Sequence, residues 1–385
     1  MKLRIPVLLL TVIAFSIFSC TPSTKKNSPK EILYVGTYSV RGSQGIYVYE
    51  FNRDSLTFHL IQTVDHQRDP SYLTISPDGK FLYAANGGTV NDSTHWGSVS
   101  SYRIDPGTGK LTSINDRTSF GNDPCHIEID HNGHTILLTN YNDAVLTSYI
   151  LEPDGSISDK SQVFHIEGSS VNPNRQASAH VHSTLFTPDN KYVYVADLGS
   201  DKVRVFDYDQ ANYTIKPGNP ESASVIPGSG PRHMAIFPGS PYMYLVQEMS
   251  NTVSVFDIAE ESSPKMIQTL SSLPQDFTGE DDAADIHIAP SGKFVYSSNR
   301  GDNSIAIYSI NKENGNLSVV GHHTCGGDWP RNFLMDPKGQ YLFVANKKSD
   351  NMAVLKVNPD TGELSDTGVS VSIPSPVCVK HLDLQ

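Results

Sequence analysis

Apolar and polar residues alternate along this chain in short runs that recur about every 50 residues. Each run follows a turn of the Pro-Asp-Gly type, and the clearest copies begin at Ser76, Thr187, Ala289 and Asp336. Gly and Asn tolerate the backbone angles of a tight turn, so such a turn beside alternating residues predicts a β-hairpin. A period of this length indicates one supersecondary unit that is used repeatedly along the chain.

A further alternating segment follows each hairpin, and its seven copies begin at Gly45, Ser98, Ala144, Lys202, Thr252, Ser304 and Asn351. A fourth strand follows a Gly-containing turn in several units, as at residues 108–111 and 361–364. No segment after the N-terminal region shows the period of an amphipathic helix. Tandem four-stranded units are typical of propeller blades, so we predict an all-β, seven-bladed β-propeller of four-stranded blades.

The two ends of the repeat predict how the ring closes. The first unit begins at its second strand, residues 32–38, and no innermost strand precedes it. Residues 375–382 resemble the innermost strands of the other units, so we expect this C-terminal strand to complete the first blade. The longest irregular segments, residues 167–179 and 271–284, are predicted to be loops on the rim of a single domain.

The N-terminal region has a different character. Residues 1–19 combine a positive start with a short apolar run, which is typical of a signal peptide and not of a membrane span. The segment Ile17-Phe-Ser-Cys20 resembles the lipobox of bacterial lipoproteins, which predicts that Cys20 carries a lipid. Residues 20–30 are interpreted as a flexible tether and residues 31–385 as the propeller. The alternative is plain secretion, with Cys20 in the discarded peptide.

Composition limits the possible partners. The formal net charge is −12 and there is no basic run, which argues against nucleic acid. An exported monomer is expected, held in the bacterial cell envelope and in contact with the membrane only through the N-terminal lipid. The remaining cysteines, Cys125, Cys325 and Cys378, allow at most one disulfide, and we interpret them as structural.

Ionisable residues recur where the innermost strands begin and where the second strands end. An antiparallel hairpin returns to the end at which it started, so both sets are predicted to meet on one face of the ring. The residues predicted to lie on this face are His126, His180, His182, Arg232, His287 and Arg331 from the first set, and Glu248 and Arg300 from the second. Such convergence in a concave site indicates a functional site. His180 and His182 share a strand face but lack a clear third ligand, so no metal is predicted.

Several motifs resemble the seven-bladed lactonase propellers, a family that includes propeller-type 6-phosphogluconolactonases and carboxy-muconate cyclases. The motifs are Tyr34-Val-Gly-Thr-Tyr38, Asn140-Tyr141, Gly230-Pro-Arg-His-Met234, Asp285-Ile-His287, Asn299-Arg300 and Trp329-Pro-Arg-Asn-Phe333. The resemblance covers essentially the whole mature chain. It implies a hydrolase that acts on a lactone or sugar-acid substrate without a cofactor.

The resemblance also implies roles for individual residues. The catalytic candidates are His182, Arg232, Glu248 and Arg300, and the substrate-binding candidates are His126, His180, His287 and Arg331. Glu248 lies in Gln-Glu-Met where relatives commonly show Asn-Glu-Leu, so its neighbours differ. Glu248 also ends a strand where three other copies have Asn, so it could instead cap a turn.

Lactone hydrolysis needs an activated water and stabilisation of the oxyanion that forms at the carbonyl carbon. Either Glu248 or His182 could accept the proton of the water. Arginines could bind the oxyanion, or a carboxylate or phosphate of the substrate. Two other functions stay open, because a fold does not determine a function: a muconate-type cyclase, and a non-catalytic exported propeller that binds a carbohydrate or protein. The lactone itself stays open too, since 6-phosphogluconolactone is cytosolic and this chain is predicted to be exported.

Overall fold

The computed structural model describes residues 1, 3, 29–65, 68–88 and 97–384. Within these residues every regular element is a β-strand, and the strands form seven four-stranded antiparallel sheets. The prediction of an all-β, seven-bladed propeller is confirmed. The lipidation site Cys20 and nearly all of the predicted signal peptide and tether lie outside the described residues. In the described part of the chain, no helix is long and apolar enough to cross a membrane.

The blades follow one another in chain order, and each of blades 2 to 7 runs from its innermost strand outwards. The strands of blades 1 to 4 are β1 (Lys30–Thr37), β2 (Ile46–Asn52) and β3 (Thr57–Val64); β4 (Arg68–Ile75), β5 (Phe81–Gly88), β6 (Ser98–Ile104) and β7 (Leu111–Thr118); β8 (Pro124–Ile129), β9 (Thr135–Asn140), β10 (Val145–Leu151) and β11 (Ile157–His165); and β12 (Val181–Phe186), β13 (Tyr192–Asp197), β14 (Lys202–Asp209) and β15 (Thr214–Ser224).

The last three blades repeat this order, and one strand remains after them. The strands are β16 (Pro231–Ile236), β17 (Tyr242–Gln247), β18 (Thr252–Asp257) and β19 (Lys265–Ser271); β20 (Ala283–Ile288), β21 (Phe294–Asn299), β22 (Ser304–Ile310) and β23 (Leu317–Thr324); β24 (Pro330–Met335), β25 (Tyr341–Asn346), β26 (Asn351–Val357) and β27 (Leu364–Ser372); and finally β28 (Pro376–Leu384).

Strand β28 closes the ring. It pairs antiparallel with β1, from Lys30 opposite Leu384 to Thr37 opposite Pro376, and so becomes the innermost strand of blade 1. The predicted completion of the first blade by the C-terminal strand is therefore confirmed. The ring is therefore closed by the backbone hydrogen bonds between the first and last strands of the chain.

Tyrosine hydroxyls connect neighbouring blades. In five blades a buried tyrosine of the second strand donates a hydrogen bond, 2.6–3.2 Å long, to a backbone carbonyl in the outer hairpin of the next blade. The pairs are Tyr34–Gly109, Tyr83–Gly155, Tyr194–Glu261, Tyr244–Gly315 and Tyr296–Gly362. Each ring packs in the core while its hydroxyl group is satisfied, which is how a buried tyrosine stabilises a fold.

Each innermost strand begins with a β-bulge, where the register to the second strand shifts. The unpaired residues at these bulges are Ser71, Cys125, His182, Arg232, Ala284 with Asp285, Arg331 and Val377. A bulge leaves its extra residue outside the ladder and redirects the side chain. The fold therefore presents one redirected residue, or two in β20, from every blade at the same end of the channel.

The three described cysteines are buried free thiols. Burial raises the pKa of Cys125 and of Cys325 to about 12 and that of Cys378 to about 11. Thiols in this state are poor nucleophiles at neutral pH. The Cys125 thiol also lies 3.1 Å from the carbonyl oxygen of His182, to which it donates. These contacts agree with the interpretation of the three residues as structural.

Candidate active site

Two sets of residues line the channel mouth, which we define as the end where the innermost strands begin. The first set consists of the bulge residues. The second set consists of the residues that directly follow the second strands. The backbone N–H of each donates a hydrogen bond to the carbonyl of the residue that precedes the innermost strand of the same blade. These residues are Tyr38, Tyr141, Leu198, Glu248, Arg300 and Lys347. The shared hydrogen bond shows that the six positions are equivalent.

Glu248 is the residue of the second set that carries the negative charge. Strand β17 ends at Gln247, whose side-chain N–H donates to Ser254 Oγ at 2.7 Å, and Gln247 occupies the position of Asn140 and Asn346 in other blades. The sequence interpretation that placed Glu248 at this Asn position was wrong by one residue. Gln247 therefore makes the side-chain hydrogen bonds that connect the second strand to the third, and Glu248 faces the mouth.

Three arginines bind the Glu248 carboxylate. Its Oε2 accepts from Arg232 Nε at 2.9 Å and lies 2.8 Å from Arg300 Nη2, while its Oε1 accepts from Arg175 Nη2 at 2.5 Å. Burial raises the pKa of Glu248, but Arg300, Arg232 and Arg175 lower it by a larger amount. The pKa therefore lies well below its usual range. A carboxylate in this state is a weak proton acceptor.

The two most buried arginines of this cluster are also held by backbone carbonyl groups. Arg232 is 1% exposed, and its Nη1 donates to the Ala284 carbonyl at 2.5 Å. Arg300 donates from Nε to the Asp282 carbonyl at 2.8 Å. Burial, together with Arg300 and Arg331, lowers the pKa of Arg232 to about 10, which still leaves the guanidinium charged at neutral pH. The cluster therefore holds an excess of positive charge.

Two further cations lie beside this cluster. The Arg331 guanidinium carbon is 5.3 Å from the centre of the Tyr38 ring, and Lys347 Nζ is 4.7 Å from the same ring. Within the described residues neither side chain forms an ion pair. Burial lowers the pKa of Lys347 to about 8, and Arg331 and Arg300 contribute to this shift. A mouth with unpaired cations attracts anions and gives them charge-assisted hydrogen bonds.

His182 lies in the mouth as a neutral imidazole. Its Nδ1 is buried and has no hydrogen-bond partner among the residues that the structure describes. The ring lies edge-on to Tyr141, at 5.7 Å between centres, and to His233, at 5.1 Å. Burial lowers the pKa of His182 well below its usual value, and Arg232 and His233 add to the effect. Of the two predicted base candidates, His182 is the one with an unbound ring nitrogen, whereas both carboxylate oxygens of Glu248 are bound by arginines.

His180 flanks the mouth. Its Nδ1 lies 2.9 Å from the Tyr141 carbonyl oxygen, and its ring stacks on that of Tyr141 at 4.7 Å between centres. His180 and His182 belong to no three-residue group in the described chain whose ligand atoms could share a metal; the one such group is Glu31, His381 and Asp383, in blade 1.

His126 and His287 lie apart from the arginine cluster. His287 Nε2 is 3.0 Å from the Asp285 carboxylate, which also binds His233 Nδ1 at 2.7 Å and Asn332 Nδ2 at 2.5 Å. The His126 ring is 5.4 Å from the His233 ring. These residues form a layer of rings below the mouth, and contact of His126 and His287 with the substrate stays a prediction.

Arg175 is the residue of the arginine cluster that the sequence did not predict. It comes from the loop between β11 and β12, predicted only as a rim loop, and reaches Glu248 and the Tyr141 hydroxyl, the latter at 3.4 Å. Gln176 fixes the loop by donating to the Leu198 carbonyl at 2.9 Å. The length of the loop was the available signal, because long loops in compact domains are usually functional.

Comparisons with known proteins agree with this geometry. A family model described as lactonase, 7-bladed beta-propeller, matches residues 32–381. The chain is 36% identical over 309 residues to a 6-phosphogluconolactonase of Formosa agariphila, covering 79% of this chain and 86% of that protein. It is 33% identical over 362 residues to a 6-phosphogluconolactonase of Bacillus subtilis, covering 92% and 99%.

A solved structure extends the likeness to three dimensions. The periplasmic gluconolactonase of Pseudomonas aeruginosa superposes with a TM-score of 0.87 at 32% identity, over 92% of this chain and all of that chain. The match of the family model covers most of the propeller, including every residue of the mouth. The chain therefore belongs to the seven-bladed β-propeller lactonase family.

Proposed function

We propose that this protein hydrolyses a lactone, that is, a cyclic carboxylic ester, at the channel mouth. One observation carries the proposal: a neutral, unpartnered His182 lies in the mouth that also holds a buried carboxylate bound by three arginines. Membership of the lactonase family and the similarity to two 6-phosphogluconolactonases and a gluconolactonase support the same reaction.

In the proposed mechanism His182 is the general base. Its imidazole takes a proton from water while the water oxygen forms a bond to the lactone carbonyl carbon. The tetrahedral intermediate then collapses, the bond between this carbon and the ring oxygen breaks, and that oxygen takes the proton from His182. The product is an open-chain hydroxy acid, and His182 returns to its neutral form.

The arginines have two different electrostatic roles in this mechanism. Arg331 makes no hydrogen bond within the described residues, so its N–H groups are free to donate to the oxyanion or to an anionic group of the substrate. Arg232 and Arg300 use several of theirs on Glu248 and on backbone carbonyls. We assign them a positioning role, in which they supply positive potential from a rigid, water-poor cluster.

The excess of positive charge supports an anionic substrate. Arg331 and Lys347 are unpaired in the described structure, and guanidinium and ammonium groups bind carboxylates and phosphates strongly. We infer that the preferred lactone derives from a sugar acid and carries a phosphate or a second carboxylate.

The test is hydrolysis by purified residues 21–385 of 6-phosphogluconolactone, gluconolactone and simple γ- and δ-lactones. We expect turnover above the spontaneous rate that His182→Asn abolishes, and a preference for the phosphorylated lactone that Arg331→Ala removes. Arg103→Ala is the matched control, because this arginine contacts Phe81 and the Asp154 carbonyl away from the mouth. Turnover that His182→Asn leaves unchanged would refute the site. Binding of anionic lactones without turnover would indicate a non-catalytic propeller.

We also infer that the chain is exported and lipid-anchored in the bacterial cell envelope through Cys20. The charged start, the apolar run and the lipobox-like Ile17-Phe-Ser-Cys20 support this, and one similar protein is a periplasmic gluconolactonase. Labelling cells with palmitate is expected to label the wild type and not Cys20→Ser. Equal labelling of both proteins would contradict the anchor.

A further inference from the structure

The channel contains a second cavity below the mouth. It has a volume of about 370 Å³ and is lined at its outer end by residues 237–238 and 289–290. These residues lie in the turns between innermost and second strands, so the cavity opens on the face opposite the mouth. None of the four catalytic candidates lines it. We call this cavity the lower chamber.

A layer of aromatic rings separates the lower chamber from His182. The Tyr72 ring lies 4.2 Å from that of His126 and 5.7 Å from that of His233, between centres. The His233 ring in turn lies 5.1 Å from that of His182. Tyr72, His126 and His233 line the lower chamber, whereas His182 does not. The chamber is therefore a compartment of its own and not an extension of the mouth.

Two ionisable side chains enter the lower chamber without an ion pair in the described structure. Lys380 and Glu128 occupy equivalent positions, each four residues after the proline that begins its innermost strand, Pro376 and Pro124. Lys380 Nζ lies 4.7 Å from the centre of the Tyr72 ring. Within the described part of the chain, neither side chain forms an ion pair, and the Glu128 carboxyl group forms no hydrogen bond. The chamber thus offers a cation and a free carboxyl group.

Further polar atoms at the chamber wall lack partners. Thr184 Oγ1 and His233 Nε2 are buried without a hydrogen bond in the described structure, and the two residues are 2% and 4% exposed. The Asp285 carboxylate, by contrast, is satisfied by His233, His287 and other donors. Unsatisfied buried polar atoms destabilise a fold unless a bound molecule supplies the missing bonds. This wall suits a ligand that carries several hydroxyl groups.

We propose that the lower chamber binds a small hydroxy acid of about monosaccharide size, with its carboxylate on Lys380 and its hydroxyl groups toward Glu128 and Thr184. A volume of about 370 Å³ falls within the range of small-molecule sites. Neutral sugars would leave the Lys380 charge unpaired, and dianions would lack a second cation. The proposal does not depend on lactone hydrolysis, although the product of that reaction belongs to this class of compound.

The protonation of Glu128 makes this binding depend on pH. Burial raises the pKa of Glu128 to about 7, against an opposing effect of Lys380. Below this pH the carboxyl group is neutral and donates to the ligand; above it, the carboxylate repels the ligand carboxylate, so affinity falls as pH rises. The other ionisable groups that face the chamber from neighbouring strands are Tyr72, His126, His233, Asp285, His287 and Lys380. Burial lowers the pKa of His126 and His233, so both imidazoles are neutral over this range.

The test is calorimetric titration of the mature protein with D-gluconate, with D-glucose as the uncharged control. We expect gluconate binding that Lys380→Met weakens about tenfold or more, that Lys380→Arg retains, and that the mouth variant Arg331→Ala changes less than about twofold. Affinity is expected to fall several-fold between about pH 6 and about pH 8, and Glu128→Gln is expected to abolish this dependence.

Two outcomes would overturn the proposal. One is the absence of gluconate binding by the wild type at both pH values. The other is binding that Arg331→Ala removes and Lys380→Met leaves intact, because the ligand would then occupy the mouth. Lactone turnover by Lys380→Met is expected to stay within about twofold of the wild type. Turnover and gluconate binding are measured separately, so failure of the hydrolase proposal and failure of this one are distinguishable.

Discussion

Two buried glutamates of this propeller have similar partners and different surroundings. Glu248, at the mouth, is bound by three arginines. Glu31, on the first strand of the closing blade, accepts from Arg53 Nε at 2.8 Å and Nη2 at 2.6 Å, and from Lys338 Nζ at 2.7 Å. Both carboxylates are ionised, because in each case the cations outweigh the effect of burial on the pKa.

The difference between the two sites lies in the balance of charge. Around Glu31, Arg53 also pairs with Asp336 at 3.0 Å, so two carboxylates face Arg53 and Lys338, and the contacts join blade 1 to blade 7. Around Glu248, the cations outnumber the carboxylates. A balanced cluster stabilises the seam where the ring closes, whereas an unbalanced one is retained where a ligand completes it.

The largest expected effect isolates the base at the mouth. His182→Asn should lower kcat for lactone hydrolysis by about a hundredfold to ten-thousandfold, because removing a general base from a reaction of this type costs a factor of this size. Stability should change little, since the buried Nδ1 has no partner to lose in the described structure. Steady-state kinetics beside thermal unfolding would check both. A fall in kcat of less than tenfold would contradict the assignment of the base.

A matched pair of substitutions compares the two clusters directly. Glu248→Gln should reduce kcat/KM about a hundredfold, because Arg232 and Arg300 lose the carboxylate that positions them. Glu31→Gln should leave kcat/KM within about twofold while lowering the free energy of unfolding by about 1–3 kcal/mol. Kinetics and urea unfolding of both variants supply the measurements. Equal losses of activity would remove the distinction between a functional and a structural cluster.

Acid unfolding should report on the seam. Burial raises the pKa of Glu31, but Arg53 and Lys338 lower it by a larger amount, so the pKa falls from the ordinary 4.5 to about 2. The folded-state pKa is depressed, so the contribution of Glu31 to stability is complete above pH 4.5 and is lost as the pH falls toward 2. Arg53→Met should reduce stability at neutral pH by about 1–2 kcal/mol and move the acid unfolding midpoint to higher pH. Arg117→Met, on the outer strand of blade 2, is the control; an unchanged midpoint in Arg53→Met would contradict this role of the seam.

The smallest expected effect concerns the pH dependence of activity. The pKa of His182 is lowered by burial and by Arg232, so the imidazole is neutral, and able to act as a base, well below pH 6.5. We expect kcat/KM, corrected for spontaneous hydrolysis, to change less than about twofold between pH 7 and about pH 6. A fall centred near the ordinary histidine value would show that the base is less buried than the structure indicates.

The fold was predictable because the information that determines it is local. Turn residues and alternating apolar positions recur in every unit, and Asp69-Pro70, Asp123-Pro124 and Trp329-Pro330 mark the starts of innermost strands. The missing first strand was apparent for the same reason. Seven copies of one pattern leave little freedom in the topology, so the role of residues 376–384 in closing the ring could be predicted.

The candidate site was predictable only in outline. The repeat identified Arg232, Arg300 and Glu248 as residues of one face, since each lies at an equivalent end of a hairpin. It could not show that Arg175 crosses from a loop between blades to bind Glu248, because a loop has no period. Nor could it show that His126 and His287 lie deeper than His182, because the depth of each side chain depends on the bulge at the start of its strand.

The repeating pattern of residues is sufficient to specify the seven-bladed architecture, the face on which the charged residues gather and the closure of the ring. The chemistry that those residues can perform follows from the assembled ring. Whether Glu248 or His182 accepts a proton depends on burial and on cations that approach from other blades, and whether a cation is paired or free depends on the same distances. Strand pairing is encoded in short stretches of chain, whereas protonation is an electrostatic property of the assembled ring.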